Sequence, residues 1–217
     1  MDKKYLLFDL DGTLTDPFEG ITKSFQYALK SFGIDEKQED LLFVIGPPLI
    51  ETFCSKYGFD REKGQKAVDK YRERFAQIGW RENRLLDGVP KMLEKLKEDG
   101  KIIALATAKP YVFAVKILEY FNIAKYFDVV CGATLDGSIG TKTQVIKEVL
   151  DKLDNPPLNE VIMIGDREND VLGARECEIE CIGLRVGYAE ENELENAGAD
   201  YIIDTIEELE KFLLKIG

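Results

Sequence analysis

The 217-residue chain has no histidine, one tryptophan, three methionines and four cysteines. Without histidine there is no Ser/His/Asp triad, no Cys/His pair, no imidazole base and no His-ligated zinc. The cysteines, Cys54, Cys131, Cys177 and Cys181, are scattered, and the closest pair, Cys177 and Cys181, lacks the further ligands that zinc requires. They are expected to be buried, reduced thiols. Basic residues are in deficit too: 29 Lys and Arg face 41 Asp and Glu, a formal net charge of -12. So acidic a chain offers a polyanion little attraction, and nucleic acid is not an expected partner. No apolar run approaches the roughly 18 residues of a membrane span, and the N-terminal apolar run Tyr5 to Phe8 is too short for a signal sequence. The expectation is a cytoplasmic protein without a membrane partner. Its chemistry must run on carboxylates, lysines, hydroxyls or a hard metal ion.

A content of 45% hydrophobic and 10% aromatic residues is enough for a packed core and excludes a disordered chain. The apolar run Lys4 to Leu10 reads as a buried strand that stops at a cluster of carboxylates and a glycine. Helical spacing follows over Phe18 to Phe32, Leu49 to Tyr57 and, after a cap at Asp60, Ala67 to Ile78. Residues 15–85 therefore hold helices and no convincing strand. From Val89 onward strands and helices alternate, with strands at Ile102 to Ala106, Phe127 to Cys131, Val161 to Ile164, Ile179 to Gly183 and Tyr201 to Ile203. Thr205 with Glu208 three residues on predicts a capping box for the last helix. The fold class is α/β: a doubly wound parallel-sheet core, residues 1–14 and 86–217, with an inserted all-helical domain, residues 15–85.

In such a sheet ligands lie beyond the carboxyl ends of the strands. Asp9 and Asp11 follow the first strand, Thr107-Ala108-Lys109-Pro110 the second, and Gly165-Asp166-Arg167-Glu168-Asn169-Asp170 the fourth, while Lys142 opens a core helix. Asp9 and Asp11, two apart, share one face of an extended strand. Carboxylates that close stay ionised only beside a cation, and all-oxygen ligands favour Mg2+. Asp166 and Asp170, four apart, are expected on one helical face. Taken singly these residues have plainer readings: an acidic turn at Asp9-x-Asp11, a helix cap for Thr107, a solvated lysine at Lys142, an acidic helix start at Asp166 or Asp170. Gly12 lies in the wrong place for an EF-hand loop, and Gly140-Thr141-Lys142-Thr143 lacks the leading glycines of a P-loop.

Together, Asp9-Leu10-Asp11-Gly12-Thr13-Leu14, Thr107, Lys142 and Gly165-Asp166-Arg167-Glu168-Asn169-Asp170 resemble the four ordered motifs of the haloacid dehalogenase superfamily, and the helical insert resembles the C1-type cap of its phosphoglycolate phosphatase-like members. The resemblance implies a phosphomonoesterase. Asp9 would be the nucleophile, forming an aspartyl-phosphate; Asp11 would protonate the leaving oxygen and then activate water. Thr107, Lys109 and the backbone around Asp11, Gly12, Thr13 and Ala108 would bind the phosphoryl group, and Lys142 would offset its charge. Mg2+ would be held by Asp9, the carbonyl of Asp11 and Asp166, with Asp170 behind it positioning Lys142 or a water. Asp11 argues against carbon–halogen chemistry, and the missing histidine together with Gly165-Asp166 argues against the mutase branch. The form of the last motif resembles members known as phosphoglycolate phosphatases and as 5'-nucleotidases, so the resemblance implies a phosphoglycolate phosphatase-like activity, with a 5'-nucleotidase-type or broad-specificity phosphatase as the alternative. The implied partner is a small phosphorylated metabolite, the implied assembly a monomer or homodimer. A phospho-accepting signalling module is the alternative of another class, but its acceptor Asp lies on the third strand and it carries no helical insert.

Overall fold

The structure, a computed structural model, describes residues 3–216. The chain divides into two compact units, Met1–Asp16 with Leu85–Gly217, and Pro17–Arg84. In chain order the strands are β1 (Tyr5–Phe8), β2 (Thr15–Asp16), β3 (Arg84–Leu85), β4 (Ile102–Pro110), β5 (Val129–Ala133), β6 (Val161–Gly165), β7 (Glu180–Leu184) and β8 (Tyr201–Ile203). Six of them form one sheet in the order β5-β4-β1-β6-β7-β8, every neighbouring pair parallel. The short β2 and β3 pair where the chain passes between the units.

The second unit consists of α1 (Phe18–Lys30), α2 (Leu49–Tyr57) and α3 (Arg61–Gln77), with one 3-10 segment between α1 and α2 and another after α3. Asp60 accepts from the Lys63 amide and caps α3, and Gly58, at φ 65°, ends α2 in the left-handed conformation that glycine adopts without penalty. Phe25 and Phe53 stack at 4.2 Å with Phe59 beside Phe53, giving this unit an aromatic core of its own. The Arg74 guanidinium grips Glu82 with two hydrogen bonds, 2.6 and 2.8 Å, and holds that carboxyl below its ordinary range.

The sheet is covered by α4 (Val89–Glu98), α5 (Tyr111–Tyr120), α6 (Lys142–Lys152), α7 (Glu168–Glu176), α8 (Glu193–Ala197) and α9 (Ile206–Lys215). Both faces of β1 and β6 carry fully buried side chains, Leu7 and Met163 on one, Leu6, Phe8, Ile162 and Ile164 on the other, with Tyr5 at the start of β1 half-buried. Such strands need helices on both faces, which is why they read as continuous apolar runs. Thr141 caps α6 in a reciprocal box with Gln144, a signal the sequence reading passed over, whereas at α9 only the Thr205 half, accepting from the Glu208 amide, is formed.

Three expectations need correction. The strand expected over Ile102 to Ala106 runs on as β4 through Thr107 to Pro110, so Thr107 is a strand residue whose hydroxyl accepts from the Lys109 amide at 3.2 Å, and its plainer reading as a helix cap falls away. Residues 15–85 do contain strand, at their two ends, because the crossing segments pair with each other. Cys131, Cys177 and Cys181 are buried thiols, but Cys54 is only half-buried; all four are free.

Candidate active site

The strand order reverses beside β1, whose neighbours are β4 and β6 with connections leaving in opposite directions, and the crevice at that point is where a doubly wound sheet binds ligands. Phe8 pairs with Leu105 of β4 and with Ile164 of β6, and the Asp9 amide donates to the Ile164 carbonyl at 2.9 Å. The residues following these three strands therefore emerge together.

Asp9, Asp166 and Asp170 are 8%, 0% and 1% exposed, with one carboxylate oxygen of each within 4.8 Å of the others. The Lys142 ammonium, on the first residue of α6, stands 2.8 Å from Asp9 Oδ1 and 2.7 Å from Asp170 Oδ1 and donates to the Ala106 carbonyl at 2.9 Å. Burial alone would depress Lys142, but the charges of Asp170 and Asp9 outweigh it and hold the ammonium protonated well above its ordinary range. Asp11 lies beside this cluster with Oδ2 on the buried Lys109 ammonium and Oδ1 buried without a hydrogen-bond partner. Burial raises the Asp11 carboxyl, and Lys109 only partly opposes it.

Two glycines set this geometry. Gly12, at φ 83°, lets the chain turn after Asp11, and a β-carbon there would overlap the Asp166 carboxylate. A β-carbon at Gly165 would overlap Asp170. Asp166 itself precedes α7, so the expected sharing of a helical face with Asp170 is wrong: the loop after β6 brings them together, and Asp170 on the first turn is fixed by the Arg167 amide at 3.1 Å. Asp166 accepts from the Thr13 hydroxyl at 3.2 Å and from the Tyr188 amide at 2.8 Å. The Gly12 and Thr13 amides donate to the Thr15 and Leu10 carbonyls, at 2.7 and 3.3 Å, and the Thr13 hydroxyl is engaged by Asp166. Both residues hold the loop in shape.

The donor set fits a divalent cation. Lys109 pairs with Asp11 and Lys142 with Asp9 and Asp170, while Asp166 stands beside Asp9 and Asp170; fully ionised, these four carboxylates outnumber the two ammonium groups by two negative charges, which one Mg2+ would balance. Burial, with Asp170 and Asp9 nearby, drives the Asp166 carboxyl well above its ordinary range. Only a proton or a cation can relieve that repulsion, and oxygen donors suit a hard ion.

Sequence reasoning missed Tyr188, Gly187 and Asp16. Gly187 and Tyr188 lie just past the carboxyl end of β7, where the sheet rule points, but their contribution comes from a main-chain N–H and from a missing side chain.

The chain belongs to the haloacid dehalogenase-like hydrolases, whose family pattern it matches over residues 6–184, and it is an enzyme of their phosphatase type. It is 45% identical to a 5'-nucleotidase of Pseudomonas aeruginosa over 87% of this chain and 86% of that one. With a tyrosine-protein kinase, PtkA, of Mycobacterium tuberculosis it shares 36% identity over 96% of this chain and 72% of the relative. With a phosphoglycolate phosphatase of Vibrio parahaemolyticus it shares 30% over 96% and 95%. A crystal structure of a predicted phosphatase from Clostridium acetobutylicum superposes with a TM-score of 0.95 at 44% identity, over 99% of this chain and 100% of that one. No helix among the described residues is long and apolar enough to cross a membrane.

Proposed function

We propose that the protein hydrolyses small phosphate monoesters through a phosphorylated Asp9, with Mg2+ held by Asp9, Asp166 and the Asp11 carbonyl. The observation that carries this reading is the Asp9 carboxylate at the end of β1, fixed by the Lys142 ammonium at 2.8 Å beside an acidic cluster with two charges in excess. Asp9 attacks phosphorus, the ester oxygen leaves with a proton from Asp11, and Asp11 then takes a proton from the water that cleaves the acyl phosphate. Phosphate departs and the Asp9 carboxylate is restored. The raised Asp11 carboxyl supports this role, because a general acid must hold its proton near the working pH. Lys142 offsets charge on Asp9 and the phosphoryl group, Thr107 and the Ala108 amide contact phosphoryl oxygens, and Lys109 holds Asp11 in place. Asp170 keeps Lys142 on the Asp9 side. The bound cation supplies the charge that lets a carboxylate approach an anionic phosphate.

The higher identity to the 5'-nucleotidase than to the phosphoglycolate phosphatase favours nucleoside 5'-monophosphates, with phosphoglycolate next. The kinase-named relative raises a second acceptor for the phosphoryl group, a tyrosine in place of water. The decisive experiment measures release of inorganic phosphate from an aryl phosphate and from a panel of natural esters, ranked by kcat/KM. Asp9→Asn should lower turnover about ten-thousandfold or more while keeping the fold, and EDTA should abolish it reversibly. Activity retained in either arm overturns the mechanism; transfer to a tyrosine peptide without phosphate release overturns the assignment of water as acceptor.

A further inference from the structure

Asp166 occupies a slot whose walls are two glycines distant in sequence. A β-carbon at Gly12 or at Gly187 would overlap its carboxylate. The donors on its two oxygens also come from separate segments, the Thr13 hydroxyl on Oδ1 and the Tyr188 main-chain N–H on Oδ2. Two donors from different elements fix the plane of a carboxylate; one alone leaves it free to rotate. Thr13 belongs to the loop that turns at Gly12, whereas Tyr188 lies in the segment after β7 and needs an anchor of its own. It has one: the Tyr188 hydroxyl donates to Asp16 Oδ1 in β2. Five residues on, Glu193 ties the same segment to the Asp166 loop, accepting from Arg167 Nε and the Glu168 amide, both at 2.8 Å.

We propose that Tyr188 is a positioning residue for the metal ligand Asp166: the bond from its ring to Asp16 holds its main-chain N–H on the carboxylate and so fixes the direction in which that carboxylate meets a divalent cation. The inference rests on the metal-dependent reading above. Removing an orienting partner of a metal ligand costs about ten- to a hundredfold in metal affinity. Here the orienting group is a backbone amide, which side-chain substitution cannot delete. The tether is the part that can be tested.

The test is titration calorimetry of the full chain with Mg2+ alone, with circular dichroism and Tm recorded for each variant. Tyr188→Phe keeps the ring and the N–H and removes the hydroxyl; its Kd for Mg2+ should rise about tenfold. Asp16→Ala should match it, the double variant should be no weaker than either single one, and Asp16→Asn, which keeps an acceptor oxygen, should stay within about threefold of the parent. Gly187→Ala, which forces a methyl into the carboxylate, should cost more than any of these. A Tyr188→Phe Kd within twofold of the parent, or losses that add in the double variant, overturns the tether. Absence of Mg2+ binding by the parent overturns the metal-dependent reading instead, and the inference falls with it; the two failures are thus told apart by which protein fails to bind.

Discussion

The two edges of the parallel sheet both bury lysines, and they use them in opposite ways. At the amino edge Lys3 donates to the carbonyls of Asn159 and Val161, at 2.8 and 3.1 Å, and pairs with Glu180 at 2.9 Å. Lys101 donates to the Lys3 carbonyl at 2.9 Å, with Asp99 at 3.8 Å. Each ammonium there has one carboxylate and otherwise neutral backbone, so charge is balanced locally. At the carboxyl edge Lys109 and Lys142 pair with three carboxylates, a fourth, Asp166, stands beside two of these, and Asp11 Oδ1 stays buried with no hydrogen-bond partner. Burial is similar at both edges. What separates a lysine that holds the fold together from one that serves a reaction is the charge left over around it.

Breaking the excess should give the largest effect. Lys142→Met removes the only cation between Asp9 and Asp170 among the described residues, and turnover should fall about a hundred- to a thousandfold. Urea unfolding of the metal-free variant at pH 8 should show a loss of about 3 kcal/mol, because two buried carboxylates lose their partner. At pH 5 the loss should shrink, since a proton can replace the ammonium. An equal loss at both pH values would mean that Lys142 acts through packing.

Supplying the missing charge is the second lever. Asp166 and Asp170 are raised in the folded protein, mainly by burial, from an ordinary value of 3.8. Between that value and the raised ones the folded state keeps protons that the unfolded chain has lost, so without metal these groups make stability fall as pH rises from about 4 toward neutrality. Mg2+ stabilises their charged forms and should reverse the trend, raising stability by about 3 kcal/mol at a hundredfold excess over its Kd at pH 8 and by less at pH 5. Thermal unfolding with and without Mg2+ at the two pH values checks this, and a pH-independent gain would refute it.

The smallest effect belongs to the balanced edge. Lys3→Met strands the carbonyls of Asn159 and Val161 and should cost about 1 to 3 kcal/mol in urea unfolding, with kcat and Mg2+ affinity unchanged. A fall in kcat at constant KM would show that the two edges are coupled and would end the contrast.

The carboxyl-edge half of this contrast is legible in the sequence. Apolar runs ending in Asp9-Leu10-Asp11-Gly12 and in Gly165-Asp166 placed carboxylates at strand ends, because a strand buried on both faces has nowhere to put a charge except at its ends. Lys3 and Lys101 gave no such signal. A lysine beside a strand normally reaches solvent, and only the neighbouring carbonyls explain why these two do not. Thr107 was misjudged singly for a related reason: a strand residue and a helix cap share the same hydroxyl, and pairing with β5 decides between them.

The order of strands and helices, the acidic character of the site, the absence of imidazole chemistry and the residues at the strand ends were all determined by the sequence, since apolar period and residue type are local properties. The slot around Asp166 was decided only in three dimensions. It is assembled from Gly12, Thr13, Gly187 and Tyr188, which come from two segments far apart in the chain, and its parts are two absent side chains, a hydroxyl and a backbone N–H. No residue type advertises a main-chain amide, so its aim exists only once β1, β6 and β7 lie side by side.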